Sequence, residues 1–427
     1  MRKAKIDSFQ IVSAFCWALS FLFLTPSLSK AATVSVASCN QTDVQNSINT
    51  AQNGDTVLVP GGTCAWTSSV TIPSTKGITL DGNRATVNGQ IHLQQNSTTG
   101  SRITGFILPR VGSFSVGGTI TVGGSKTSAP FRIDHNTFPN SDTQIEISGN
   151  APGLLDHNSF TIPGGNAEII HNLGMGPSDA SGWSDDINPG SPDAVYIEDN
   201  TFTNNVSGNP AYFWGASAVQ SYYGARTVVR HNTMNMVHVD QHGTPGNIGA
   251  RWWEIYENTF FVVPNGNQSD YVRVRAGSGV IFNNHKTGSA NLGAGTIELV
   301  EEDTGYPALY QIGRGKNQVL DPAYVWGNDA SMPVGSGSSN VQAGRDYYLT
   351  TKLGYTPYTY PHPLQGGTTP PPPLPGDINL DGTVNSLDWS IMNARWGTSD
   401  AAADLNHDGI VNSLDFSILN QNWGKTQ

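Results

Sequence analysis

Two short stretches near the C-terminus set oxygen-bearing side chains at alternating positions. The first is Asp377-x-Asn379-x-Asp381-Gly382-Thr383-x-Asn385-x-x-Asp388, and 27 residues later comes Asp404-x-Asn406-x-Asp408-Gly409-Ile410-x-Asn412-x-x-Asp415. Alternate residues of a tight loop converge on one point, the glycine permits the sharp turn, and the last carboxylate closes an all-oxygen shell. That is the ligand chemistry of calcium, with Thr383 and Ile410 at the position after the glycine. Two matching copies imply two calcium ions. Behind each loop apolar residues recur at helical spacing: Trp389, Met392 and Trp396, then Phe416, Leu419 and Trp423. Each loop is therefore expected to lead into one short amphipathic helix.

A second concentration of reactive side chains lies upstream. In Val237-His238-Val239-Asp240-Gln241-His242-Gly243, strand alternation puts His238, Asp240 and His242 on one face. Arg251, Trp252, Trp253 and Glu254 follow, then Tyr271, Arg273 and Arg275. Read together these suit an acidic sugar. Trp252, Trp253 and Tyr271 would stack on sugar rings, and arginines pair with uronate carboxylates. His238, His242, Asp240 or Glu254 would supply the acid or base of a β-elimination, with Arg273 or Arg275 stabilising developing negative charge. Hydrolysis would need two carboxylates flanking the bond, for which Asp240 and Glu254 are the available pair. A His-Asp-His metal site is a third reading, and a purely structural use of the same residues a fourth.

The elements that carry these residues show themselves as a repeat. The phrase Ile133-Asp134-His135-Asn136-Thr137-Phe138 returns as Leu155-Asp156-His157-Asn158-Ser159-Phe160, Ile197-Glu198-Asp199-Asn200-Thr201-Phe202, Val229-Arg230-His231-Asn232-Thr233-Met234 and Ile255-Tyr256-Glu257-Asn258-Thr259-Phe260, with a weaker copy at Ile281-Phe282-Asn283-Asn284. The asparagines are 22, 42, 32, 26 and 26 residues apart, which fits single coils of a solenoid, some carrying an inserted loop. The aliphatic residue points inward, the asparagine is expected to take the left-handed conformation that turns the chain, and the following Phe or Met fills the core. Stacked coils bring equivalent asparagines about 4.8 Å apart, close enough to form a hydrogen-bonded ladder. The residue two before each asparagine points outward, so Asp134, Asp156 and Glu198 form a column. That column is either a solvated stripe or a place for a further calcium ion against an acidic sugar.

These repeats resemble those of right-handed parallel β-helix proteins, the architecture of pectate lyases and polygalacturonases. The resemblance implies an all-β, right-handed parallel β-helix over residues 32–365. A helix near Asp43–Ala51 is expected to cap the first coil, Gly54–Pro60 to open the first strand, and the Tyr- and Pro-rich segment Tyr347–Leu364 to close the far end. Residues 366–375 (GGTTPPPPLP) form an extended linker. The paired loops of residues 376–427 use the EF-hand spacing closed by Asp, with no entering helix, and resemble a type I dockerin, a small α-helical calcium-binding module. That resemblance implies a cohesin domain on a scaffold or cell-surface protein as partner. Specificity would be read by Ser386-Leu387 and Ser413-Leu414, where Leu departs from the commoner Ser-Thr pair.

The remaining features agree with export. Arg2, Lys3 and Lys5, an apolar run from Ile11 to Leu24 and the small residues around Ser29-Lys30-Ala31 read as a signal peptide over residues 1–31. Nothing downstream could span a bilayer. Cys39 and Cys64 would remain in an oxidising compartment, as a disulfide or as two buried thiols. The 48 glycines, the 25 prolines and a charged fraction of only 13% suit a turn-rich β protein and not a helical bundle. A net charge of −11 argues against nucleic acid as a ligand. The whole reads as a secreted, extracellular or surface-attached chain that degrades a polysaccharide, by a lyase or glycoside hydrolase reaction, and is tethered through its C-terminal module. The alternative is a non-catalytic carbohydrate-binding or adhesive solenoid.

Overall fold

The computed structural model describes residues 31–109, 117–140, 143–162, 167–176, 179–205, 216–243, 248–262, 270–288, 296–301, 305–336, 339–366, 376, 378, 384–398, 400, 403–406 and 409–425. Residues 1–30 of the expected signal peptide fall outside them. Among the described residues the strands are short and parallel, and each coil of the chain visits three faces in turn. Sheet 1 has twelve strands from Thr33–Ser35 to Tyr347–Tyr348, sheet 3 has ten from Val70–Ile72 to Val334–Ser336, and sheet 2 has six from Thr137–Phe138 to His285–Gly288. Each strand pairs with its counterpart one coil away, which is the topology of a parallel β-helix.

Alternation explains the core. Ile103, Ile133, Leu155, Ile197, Val229, Ile255, Ile281 and Val325 stack in register along the inside of sheet 1. Ile145, Ile170, Val219, Val239, Val272 and Ile297 do the same in sheet 3. In sheet 2 the rings of Phe138, Phe160 and Phe202 stack at 4.6 and 4.8 Å. Each coil leaves an apolar edge that only the next coil covers, so stability accumulates by stacking.

Between sheets 1 and 2 the asparagines form the ladder. The Nδ2 of Asn136 donates to Asn158 Oδ1 at 3.1 Å, and the pattern continues through Asn200, Asn232, Asn258 and Asn284 to Asn328. Each Oδ1 also accepts the main-chain N–H of the preceding asparagine, so the ladder satisfies backbone groups that the turn would otherwise bury unpaired. The expected left-handed residue is misassigned by one position. Positive φ falls on the residue before each asparagine: His135, His157, Asp199, His231, Glu257 and Asn283, at 52–56°. The turn is made there, and this frees asparagine to bond along the stack.

The helix Gln41–Thr50 lies beside the first coils, with Val44 and Ile48 buried. The first strand is Thr33–Ser35, ahead of the expected one, and it pairs with Thr56–Leu58. Cys39 and Cys64 are disulfide-bonded, Cα atoms 6.0 Å apart. The Tyr- and Pro-rich segment begins as the last strand of sheet 1, Tyr347–Tyr348, paired with Ala323–Trp326, but beyond it does not cover the far end. It runs back along the outside of sheet 1: Tyr355 bonds Glu254, the Tyr358 and Thr359 carbonyls accept from Arg230, His362 N–H donates to Glu198, and the Gln365 carbonyl accepts from Arg132. It acts as a strap whose Tyr355, Tyr358 and Leu364 pack on Tyr196, Val228, Tyr256 and Phe282. The outward faces of these strands carry a row of rings that would otherwise face water.

In the C-terminal module the helices Ser386–Ala394 and Ser413–Gln421 pack around Val384, Met392, Ala403, Val411 and Leu419. The repeats are tied crosswise. Val384 exchanges main-chain hydrogen bonds with Gly424 and Lys425, and Val411 with Gly397 and Thr398.

Candidate functional site

The outward column of sheet 1 is closed. Asp134, Asp156 and Glu198 have no solvent exposure. Arg102 and Arg132 clamp Asp134 and Asp156 through paired bonds of 2.5–2.8 Å, and Arg230 Nε donates to Glu198 at 2.5 Å. Burial works against charge on Asp134, but the Arg102 and His135 bonds outweigh it and hold its pKa down. Burial pushes Glu198 up. Carboxylates neutralised by guanidinium and covered by the strap are not the open oxygen cluster that a calcium ion needs, and the further calcium expected here is withdrawn. Among the described residues no group of three or more His, Cys, Asp or Glu could hold a metal. That also removes the His-Asp-His metal reading.

Arg251, Trp252, Trp253 and Glu254 belong to this same closed side. Alternation in Trp252–Tyr256 turns Trp253 inward, where it is wholly buried, and its indole N–H donates to the Ala276 carbonyl. Its register partner is Gly279, where a Cβ would collide with the indole at 2.4 Å. Trp252 is 3% exposed, its indole N–H donating to Glu254, and Glu254 also accepts from Gly190 N–H and the Tyr355 hydroxyl. Arg251 is buried 5.5 Å from the Trp183 ring and 3.6 Å from Asp321. Tyr271 lies in the core beside Phe260, and burial raises its pKa to about 12. None of the three rings can stack on a sugar, and Glu254 cannot pair with Asp240 across a glycosidic bond. Neighbourhood in sequence misled here because residues 251–256 and 270–275 occupy different faces of the coil.

The other candidates do converge, on the outside of sheet 3. Its strands align Glu146, His171, Gln220, Asp240, Arg273 and Glu298 in one column across successive coils. Asp240 accepts from Arg275 at both oxygens, at 3.1 and 2.5 Å. Arg273 Nε stands 3.5 Å from Glu298. His171 contacts Glu168 at 2.7 Å, and this bond, with further help from Gln220, keeps the Glu168 carboxyl below its ordinary range despite burial. The Tyr222 ring stacks on His242 at 4.3 Å and meets His171 edge-on, while its hydroxyl donates to Gln220 Oε1. Burial, reinforced by the Glu168 and Asp240 charges, raises Tyr222 far above its usual value, so it stays protonated. His238 accepts or donates at Ser217 Oγ, 2.9 Å away. The sequence reading found His238, Asp240, His242, Arg273 and Arg275. It missed Glu168, His171, Ser217, Gln220, Tyr222, Asp270 and Glu298. The signal that could have found them is the aliphatic run that returns after each asparagine phrase, which marks the sheet 3 strand of every coil.

The C-terminal loops are built for an oxygen-binding cation. Asp388 and Asp415, the closing carboxylates, are fully buried. Asp388 accepts from Ile378 and Asn385 N–H, and Asp415 from Asn406 and Asn412 N–H, at 2.8–3.0 Å. Asn385 and Asn412 cap the two helices with identical φ and ψ, and Asp404 accepts from Gly409 N–H at 2.8 Å. Asn406 and the Ile410 carbonyl complete the described oxygen donors, and Asn412 Nδ2 donates to that carbonyl. The donors are all oxygen, and Asp388, Asp404 and Asp415 among them are carboxylates, which fits calcium. Asp377, Asn379, Asp381, Thr383 and Asp408 lie outside the described residues. Leu387 and Leu414 are 57% and 58% exposed, and Trp396 and Trp423 are also open.

Comparison with curated proteins finds no match for the chain. Residues 375–422 match the family model described as Dockerin type I domain, and the C-terminal module is therefore a type I dockerin carried behind a parallel β-helix.

Proposed function

We propose that this is a secreted enzyme that cleaves an acidic polysaccharide on the outside of sheet 3 and is tethered by its dockerin to a cohesin-bearing scaffold or surface protein. The observation that carries the catalytic half is the column through His171, Gln220, Asp240, Arg273 and Glu298, flanked by Arg275 and His242. A sugar chain lying along the solenoid axis would run over His171, Arg273 and Glu298, spaced by multiples of about 4.8 Å, with Gln220 and Asp240, 5% and 4% exposed, beneath it. Elimination suits this face better than hydrolysis. Hydrolysis needs a carboxylic acid that keeps its proton. Here Glu168 is held ionised by His171, and both Asp240 oxygens are engaged by Arg275. In elimination His171 or His242 takes the proton beside the uronate carboxylate. Arg273 and Arg275 bear the charge of the enolate, the glycosidic C–O bond breaks as the double bond forms, and the leaving oxygen collects a proton from the imidazolium so formed or from water.

The tethering half rests on the dockerin match. Two calcium ions would sit in its loops, and the exposed Leu387 and Leu414 would face the cohesin. The full-length protein should be tested on polyuronides and neutral glucans. Ultraviolet absorbance of unsaturated ends reports elimination, and reducing ends without that absorbance report hydrolysis. Binding without either product would reduce the solenoid to a carbohydrate-binding module.

A further inference from the structure

One group on sheet 3 has no part in glycosidic cleavage as described. Ser217, His238 and Asp270 come from three consecutive strands, Ala216–Ser221, His238–Gln241 and Asp270–Val274. Ser217 and His238 are register partners, and their Oγ and Nε2 atoms are 2.9 Å apart. On the other side of the ring, His238 Nδ1 faces Asp270 Oδ1 at 3.8 Å. That nitrogen is buried and has no hydrogen-bond partner among the described residues. Catalytic hydrogen bonds are commonly long before substrate arrives.

The backbone bends where these side chains leave it. Among the described strand pairs, register shifts fall at Ser217/Val219 and at Asp270/Val272. Such bulges re-aim a side chain out of the regular pleat. A donor is also in position. Gln220 Nε2 lies 3.4 Å from Ser217 Oγ, and its amide orientation is set by the Tyr222 hydroxyl, which donates to Oε1.

We propose that Ser217, His238 and Asp270 form a serine acyl-transfer site that hydrolyses small carboxylic esters. Ser217 Oγ attacks the acyl carbon while its proton passes to His238 Nε2. Gln220 Nε2 donates to the oxyanion, and Asp270 holds the imidazolium through Nδ1. The alcohol leaves with the proton from His238. Water, deprotonated by His238, then attacks the acyl-serine, releasing the carboxylic acid and restoring the Oγ–H bond. Ser217 is fully buried, His238 6% and Asp270 4% exposed, so the site excludes a sugar ring, and a small acyl group reaches Ser217 Oγ only as the side chains over it part. The ester would enter from the side of Glu168, the other register partner of Ser217, whose side chain is 44% exposed. That the ester is carried on a sugar chain rests on the reading of this face given above; the acyl-transfer chemistry does not.

The test uses the full-length protein and p-nitrophenyl acetate, with a fluorophosphonate as covalent probe. Wild type should turn over the ester and should carry the phosphonyl group on the peptide containing Ser217. Ser217→Ala and His238→Gln should each lower kcat/KM at least about 100-fold, as loss of one triad member does. Asp270→Asn should do so without losing the fold. Unlabelled Ser217 in folded wild-type protein overturns the proposal without any variant. Ester turnover that persists in folded Ser217→Ala also overturns it. Neither result bears on polyuronide cleavage, which is measured separately.

Discussion

At the scale of single residues, the ladder asparagines and one histidine decide how the solenoid holds. Asn232 and Asn258 each make bonds along the stack and to main-chain carbonyls while almost wholly buried. Asn232→Ala or Asn258→Ala should cost about 1–3 kcal/mol in chemical denaturation, because neighbouring buried groups lose their partners. Asn46→Ala, on the exposed side of the first helix, should be neutral. Equal effects would contradict the ladder. His362 belongs to the strap and is buried against sheet 1, where burial first and the Arg230 and Arg132 charges second lower its pKa from 6.5 to about 4. The folded protein keeps it neutral while the unfolded chain takes up a proton, so its contribution is present above pH 6.5 and is lost as pH falls from there to about 4. Melting temperature against pH should fall less steeply over that window in His362→Gln than in wild type. Parallel curves would mean that His362 is not held neutral.

At the scale of elements, the phrase Ile-Asp-His-Asn-Thr-Phe made the coil legible, because one strand end, one turn and one strand start recur with unchanged chemistry. The calcium loops were legible for the same reason. The strap was not: Tyr355 reaches Glu254 across 101 residues and Tyr358 reaches Arg230 across 128, and no local pattern encodes such a return. The proposed active face was half legible. Alternation grouped His238 with Asp240, and Arg273 with Arg275. It could not tell that Trp252 and Glu254 face another side of the coil, because nothing in a run of 26 residues says which of three sheets a strand joins. The strap itself can be tested. A chain ending at Gly366 should melt like the full β-helix. A chain ending at Leu349 would bare Tyr196, Tyr256 and Phe282 and strip Arg230 and Glu198 of strap partners, and should melt several degrees lower or aggregate. A buried ion pair that loses part of its surroundings is strongly destabilising. Equal melting of the two would make the strap an ornament.

At the scale of the whole molecule, the dockerin and the proposed working face are separated in sequence by the Pro-rich residues 366–375. Loop carboxylates repel one another without a cation, so metal binding should supply folding free energy to the dockerin. A fragment from Gly376 onward should gain helical circular dichroism on calcium addition and lose it with chelator, while the β-helix signal of the full chain stays unchanged. Helix that ignores calcium would sink the assignment of the loops. The proposed activity places sugar cleavage on the outside of sheet 3 and not on the strapped side. The decisive measurement is kcat/KM on the polyuronide that the wild type cleaves, for Arg275→Ala beside Glu254→Gln. The first removes an arginine from the outside of sheet 3, and the second alters a carboxylate sealed under the strap. Arg275→Ala should lose at least about 100-fold with little change in melting temperature. Glu254→Gln should melt lower, yet keep its rate per folded molecule. Wild-type rates in folded Arg275→Ala, or a rate collapse confined to Glu254→Gln, would contradict the assignment of the active face.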